Sequence, residues 1–111
     1  MERMINICPH AVHLYRGDKE VMVIPQSGTI ARVQLVSELD RTIQGIPVFR
    51  RHVTSIKGLP KPEKNVVYIV SSMVLEAGKK MGRTDIIAPD TNADSVRTNN
   101  NTLLGVSCFR M

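Results

Sequence analysis

The chain has no Trp and only two Phe and two Tyr among its 111 residues, and that scarcity removes one class of binding surface. Proteins that hold single-stranded nucleic acid stack successive bases on aromatic platforms, so a long nucleic acid is not an expected partner. Cysteine is almost as rare. Cys8 and Cys108 stand near opposite ends, in apolar, strand-like surroundings and outside any close metal-ligand spacing. They read as two buried thiols, with a bridge between terminal strands as the open alternative. No stretch approaches the roughly 20 apolar residues of a membrane span, so membrane insertion is not expected. Met1-Glu2-Arg3-Met4 is charged and no long apolar run follows, so no secretory signal is read and a cytoplasmic location is predicted. Phosphate-loop, nucleophile-elbow, His-Glu-x-x-His and Cys-x-x-Cys signatures are all missing, which sets aside the standard NTPase, hydrolase and zinc-enzyme readings.

What the chain does have is aliphatic and basic. Hydrophobic residues make up 42% of it, so with few aromatics the core must be Val, Ile, Leu and Met. Fifteen Lys and Arg against ten Asp and Glu give a formal charge of +5, which favours anionic ligands. The length fits one domain over residues 1–111, small enough for a second copy to complete it. No internal repeat or low-complexity tract interrupts it.

Short β-prone runs separated by turn signals dominate. Ile5 to Cys8 stops at Pro9, Ala11 to Tyr15 leads into an Arg16-Gly17-Asp18-Lys19 turn, and Val21 to Ile24 returns as its hairpin partner. After Pro25-Gln26-Ser27-Gly28, the run Thr29 to Val36 puts Thr29, Ala31, Val33 and Leu35 on its expected core face. Ser37 to Thr42 reads as a brief helical turn or a polar loop ended by Gly45, and Ile46 to Val53 as a strand with Pro47 at its start or at an edge. Val66 to Val70 is a buried strand by its unbroken apolar run. Ser71 and Ser72 then supply an N-cap for the one expected helix, over about residues 72–81, with Lys79 and Lys80 complementing its C-terminus. Asn99-Asn100-Asn101 lies between two β-prone runs and reads as the turn of a terminal hairpin. The predicted fold is mainly β (α+β): a compact β-roll or partly open barrel crossed by one short helix. A parallel nucleotide-binding sheet is not expected, because it calls for more crossover helices.

Candidate chemistry is sparse and spread along the chain. His10, on the bend after Pro9, is the best-placed general acid or base. His10, His13 and Asp18 do not form a metal-ligand spacing, so neither metal nor cofactor is predicted. Asp90, between Pro89 and Thr91, suits a turn cap, or with Thr91 a ribose contact or a partner for His10 if the two loops meet. Arg32, Arg83 and Arg97 are isolated arginines in structured segments, each suited to a phosphate fork. Free N–H groups at Ser71 and Ser72 add an anion-attracting helix start.

Three stretches also carry a resemblance. Met4 to Val12 with its Asn6-Ile7-Cys8-Pro9-His10 core, Ile24 to Val33, and Val67 to Ser71 with Ala88-Pro89-Asp90-Thr91 together resemble a family of small phage, prophage and bacterial proteins. Many of its members begin with an Asn-Leu-Thr-Pro-His pattern, for which Ile7-Cys8 here replaces Leu-Thr. The resemblance spans nearly the whole chain and implies a phage context rather than a mechanism. By analogy with small phage proteins that intercept nucleotide immune signals, it suggests a non-enzymatic, anti-defence binder of an anionic nucleotide, such as a cyclic oligonucleotide or an ADP-ribose derivative, acting as a homo-oligomer. In that reading Arg32, Arg83 and Arg97 hold phosphate, Ser71 and Ser72 donate to it, and His10, Asp90 and Thr91 read base or ribose. Two alternatives stay open: a small phosphodiesterase or nucleotide hydrolase using His10, and a protein-protein inhibitor of a host factor that docks through a β edge.

Overall fold

A four-stranded sheet and one helix organise the chain, as described by a computed structural model over residues 2–91, 95–97 and 103–111. Among the described residues ten strands and the helix follow in order: β1 Arg3–Asn6, β2 Val12–Arg16, β3 Lys19–Ile24, β4 Arg32–Ile43, β5 Ile46–Lys57, β6 Val66–Ile69, α1 Ser72–Lys80, β7 Ile86–Pro89, β8 Val96–Arg97, β9 Leu103–Gly105 and β10 Phe109–Arg110. The mainly β reading with one short helix therefore holds. The central sheet has the order β1-β6-β7-β10, and β2-β3, β4-β5 and β8-β9 form three separate pairs, so the sheets do not close into a barrel.

The central sheet corrects one expectation. Its β1-β6 and β6-β7 pairs are parallel, and only β10 runs antiparallel to β7. Helix α1 makes the crossover from β6 to β7, while the β2-β3 and β4-β5 hairpins make the crossover from β1 to β6. Hairpins thus do here what a second crossover helix does in other parallel sheets.

Alternation along β6 assigns the two faces of the sheet. Tyr68 and Val70 face a core of Ile7, Ala31, Val74, Leu75, Ile86 and Ala88, to which α1 contributes its apolar stripe. Ile69 faces the other way, into a smaller cluster with Cys8, Val12 and Val106, so the first hairpin covers that side. Ser71 caps α1 as its sequence signal predicts, its Oγ accepting from the Val74 N–H at 3.3 Å. Gly78 looks like a weakness in the helix but lets it approach the sheet: a Cβ there would lie 2.4 Å from Ile86 Cδ1.

Two buried groups finish the core. The Cys8 thiol lies 3.6 Å from the Ile69 carbonyl, and burial pushes its pKa up to about 11, so it stays protonated at neutral pH. Cys108 is exposed rather than buried, and the two are not bridged. Asn6 is 2% exposed. Its Nδ2 donates to the His10 and Ile24 carbonyls, at 3.1 and 3.0 Å, and its Oδ1 accepts from the Cys8 N–H at 2.9 Å.

The second correction concerns Ser37 to Thr42, which is strand and not helical turn or loop. β4 and β5 pair over their full length from Arg32↔Lys57 to Ile43↔Ile46, closed by Gln44 and Gly45 at φ 51 and 80. Positive φ at both central residues is the tight hairpin turn that matches strand twist. Twelve residues per strand make an arm about 40 Å long, of which only Val33 and Ile56, near its root, pack on the core. The radius of gyration is 16.8 Å, against about 13 Å for a compact domain of this length. Among the described residues, no helix is long and apolar enough to cross a membrane.

Candidate functional site

The first hairpin and the C-terminal segment border an open-sided cavity of about 640 Å³, a size suited to a small organic ligand. Its walls are Val12, His13 and Tyr15 of β2 with Glu20 of β3 on one side, and Leu103 to Val106 on the other; His10, Ala11 and Pro89 complete the rim.

Local backbone chemistry builds each wall. The Asn6 side chain holds the bend at Pro9 and His10 by accepting from the residue two positions on, a turn that Asn favours. The segment after β9 zips onto β2 through Tyr15 N–H to Val106 O at 2.8 Å and Val106 N–H to His13 O at 3.0 Å. That approach requires Gly105, where a Cβ would lie 2.5 Å from both the His13 carbonyl oxygen and the Tyr15 ring. Gly105→Val is therefore expected to pry the two walls apart, lowering the thermal midpoint by at least about 5 °C. An unchanged melting curve contradicts this account of the wall.

Each of the two imidazoles in the cavity has an acceptor beside its Nδ1. His13 Nδ1 lies 2.5 Å from Glu20 Oε1 and His10 Nδ1 lies 3.2 Å from the Ala11 carbonyl oxygen. Both neighbours are acceptors, so in the neutral rings Nδ1 carries the proton and Nε2 is left as an acceptor. Among the described lining residues Glu20 is the one carboxylate, and none is Lys or Arg. The cavity suits a mostly apolar, planar group carrying N–H or O–H donors, with any anionic part outside it.

Sequence-named residues fall into three places. His10 and Pro89 share the cavity, so the loops carrying His10 and Asp90 do converge. Asp90 is half-buried, its N–H donating to the Cys108 carbonyl at 3.0 Å, and Thr91 beside it is exposed. Arg97 pairs across the β8-β9 ladder with Leu103, a cavity wall residue. Arg32 and Ser71 lie elsewhere, lining a smaller groove of about 330 Å³ with Pro9 and Leu35, and Ser72 lines a third between α1 and the arm. The Asn99 to Asn101 turn lies outside the described residues.

Arg83 stands apart from all of these. Its Nε and Nη2 each reach one Asp85 carboxylate oxygen at 2.8 Å, and Nη2 also donates to the Pro60 carbonyl at 2.9 Å. That fork ties the 58–65 loop to the start of β7 and is not presented to a phosphate. Sequence reading singled out arginines in ordered segments but not the carboxylate two positions away that engages this one.

His13 enters the sequence reading only with His10 and Asp18, as a metal spacing that does not fit, and Tyr15 and Glu20 are not among the sequence-named site residues, although the signal for all three exists. His13 and Tyr15 sit two apart on one strand face, and the Tyr15↔Glu20 pairing brings the carboxylate beside both. Among the described residues, no group of His, Cys, Asp and Glu is placed to hold a metal ion. Comparison with protein-family models, curated proteins and solved structures returned no match.

Proposed function

We propose that the chain binds a nucleotide without converting it, seating base and ribose in the His10, His13 and Tyr15 cavity and directing phosphate towards Arg97. One observation carries the reading: His10, the strand end before Asp90 and Leu103 opposite Arg97 meet at a single cavity although far apart in sequence. Tyr15 offers a ring face, and the histidine Nε2 atoms accept from amino or hydroxyl donors. Arg32 and Ser71 fall outside the pocket in this reading, and Arg83 serves the fold. The ligand class we favour is a cyclic oligonucleotide or ADP-ribose derivative, and the role is sequestration of such a signal in the cytoplasm, in keeping with the resemblance to phage proteins.

A second reading has its own observation. The Glu20-His13 pair orients an imidazole as a general base is oriented, so hydrolysis of the bound nucleotide is the alternative, with His13 rather than His10 as the base.

Thermal melting with a panel of cyclic oligonucleotides, NAD derivatives and ADP-ribose isomers tests both. A saturating ligand at about 100 times its Kd adds about 2.7 kcal/mol and is expected to raise the midpoint by about 10 °C. His13→Ala and Arg97→Ala are each expected to remove most of that shift. Intact nucleotide recovered after denaturation fits the binder, altered nucleotide fits the hydrolase, and no shift with any member overturns both.

A further inference from the structure

One side chain in the cavity can tell nucleobases apart by its chemistry. Glu20 stands opposite Tyr15 in the β2-β3 ladder, and its Oε1 lies 2.5 Å from His13 Nδ1, so the imidazole fixes the carboxylate at the cavity wall. Oε2 has no hydrogen-bond partner among the described residues. A carboxylate oxygen accepts through two lone pairs, so one position on Oε1 and both on Oε2 stay open. The Tyr15 hydroxyl gives or takes a hydrogen bond, and an imidazole Nε2 accepts when neutral and donates when protonated. An ionised carboxylate only accepts. Among the described lining residues no Lys or Arg neutralises it, so hydrogen-bond donors on a ligand are its complement.

Bases differ in what they offer two adjacent acceptors. Guanine carries N1–H and the 2-amino group side by side, spaced to meet both oxygens of one carboxylate. Adenine sets the N1 lone pair beside its 6-amino group, cytosine sets N3 beside its 4-amino group, and uracil flanks N3–H with two carbonyls. Each of these turns an acceptor of its own towards the carboxylate, which repels it and leaves a lone pair unsatisfied. We propose that the cavity selects guanine, with N1–H donating to Glu20 Oε1 and the 2-amino group to Oε2. This selection rests on the nucleotide reading of the same cavity and narrows it: a guanine-bearing cyclic oligonucleotide fits, and an adenine-bearing ADP-ribose derivative does not.

The surroundings set the size of the effect. Leu103, Leu104, Val106 and Pro89 give the base apolar walls, which strengthen a charge-assisted bond beside them. The Glu20 side chain is nevertheless 42% exposed, so water recovers part of any bond a wrong base fails to make. Discrimination therefore falls near the tenfold to hundredfold of an accessible bidentate contact, below the 10⁴-fold or more of a closed polar site.

Isothermal titration calorimetry of the full chain at pH 7 is the test, with GMP, IMP and AMP and with the cyclic dinucleotides of guanine, hypoxanthine and adenine. In each series the guanine ligand is expected to bind at least about tenfold tighter than the adenine one. Hypoxanthine keeps N1–H and lacks the 2-amino group, so it is expected between them. Glu20→Gln keeps an acceptor for His13 and sets a donor beside it, the complement of adenine, and is expected to bind the adenine ligand at least as tightly as the guanine one. Glu20→Ala is expected to bind the two alike, and the wild-type series carries the test without either substitution. Adenine bound as tightly as guanine by wild type, or a guanine preference that survives both substitutions, overturns the selection and leaves the nucleotide reading in place. Failure to bind any of the six overturns that reading as well.

Discussion

Asn6→Ala is expected to lower the unfolding free energy by about 3 kcal/mol, from the cost of leaving buried polar groups without partners. The asparagine is almost wholly buried, and three backbone groups depend on it: the Cys8 N–H and the carbonyls of His10 and Ile24. Truncation removes all three bonds and also leaves a small void. Those groups cannot all turn to water, because Ile7 and Cys8 beside them are buried in the two core clusters. Asn6→Asp separates the contributions, since it keeps the acceptor for Cys8 and loses both donations. Urea unfolding at pH 7 measures each variant, with the slope held to that of the wild type. A loss under about 1 kcal/mol for Asn6→Ala would show that the bend is held some other way. The bend also places His10, so the nucleotide-induced stabilisation we propose should shrink in the same variant.

The second large effect is at Asp85, with about 2–3 kcal/mol lost in Asp85→Ala. Arg83 and Asp85 side chains are only 19% and 16% exposed, so water screens the pair far less than a surface bridge. Removing the carboxylate leaves the guanidinium with Pro60 alone and loosens the loop before β6. The Arg83 hydrogen bond holds the Asp85 carboxyl below its usual value of 3.8. Because the folded pKa is depressed, the stabilisation is fully present above the unfolded value and disappears as pH falls through the folded one. Wild type and Asp85→Asn should thus differ most at pH 5 to 8 and converge as pH drops below about 4. Arg83 is shifted upward by the same bond, so its contribution is constant through neutral pH. Denaturant midpoints at pH 7 and pH 3 decide the matter, and an equal gap at both sinks the ion-pair account.

How much of this was legible depended on whether a signal was local. The helix was, because the Ser71 cap, the apolar Val74 and Ala77 and the basic last turn are all written within one short segment, although Met73 and Met81, expected to pack on the sheet, stand exposed. The Arg16 to Lys19 turn was too. Ser37 to Thr42 was not, since Ser, Glu, Asp and Arg in sequence look like loop when the strand that carries them leaves the body and meets solvent on both faces. Leu35 shows the same limit. Its alternation with Ala31 and Val33 marks a core face, yet Ala31 is buried and Leu35 is 41% exposed, because the core ends between them. Periodicity reports which side of a strand is apolar and says nothing about where the covering layer stops.

The sequence by itself determined the Val, Ile and Leu part of the core, the capped helix, the β-rich character and the Arg16 to Lys19 turn, because propensity, capping and alternation act over a few residues; the expected core methionines instead stand exposed, and Tyr68 and three alanines are buried. Only the tertiary structure decided that β1, β6 and β7 run parallel, that His10 meets Pro89 and Leu103, and that Arg83 belongs to Asp85. It also decided that a twelve-residue arm stands clear of the body. Each of these depends on contacts between segments distant in the chain, where pairing register and packing, rather than local preference, set the energy.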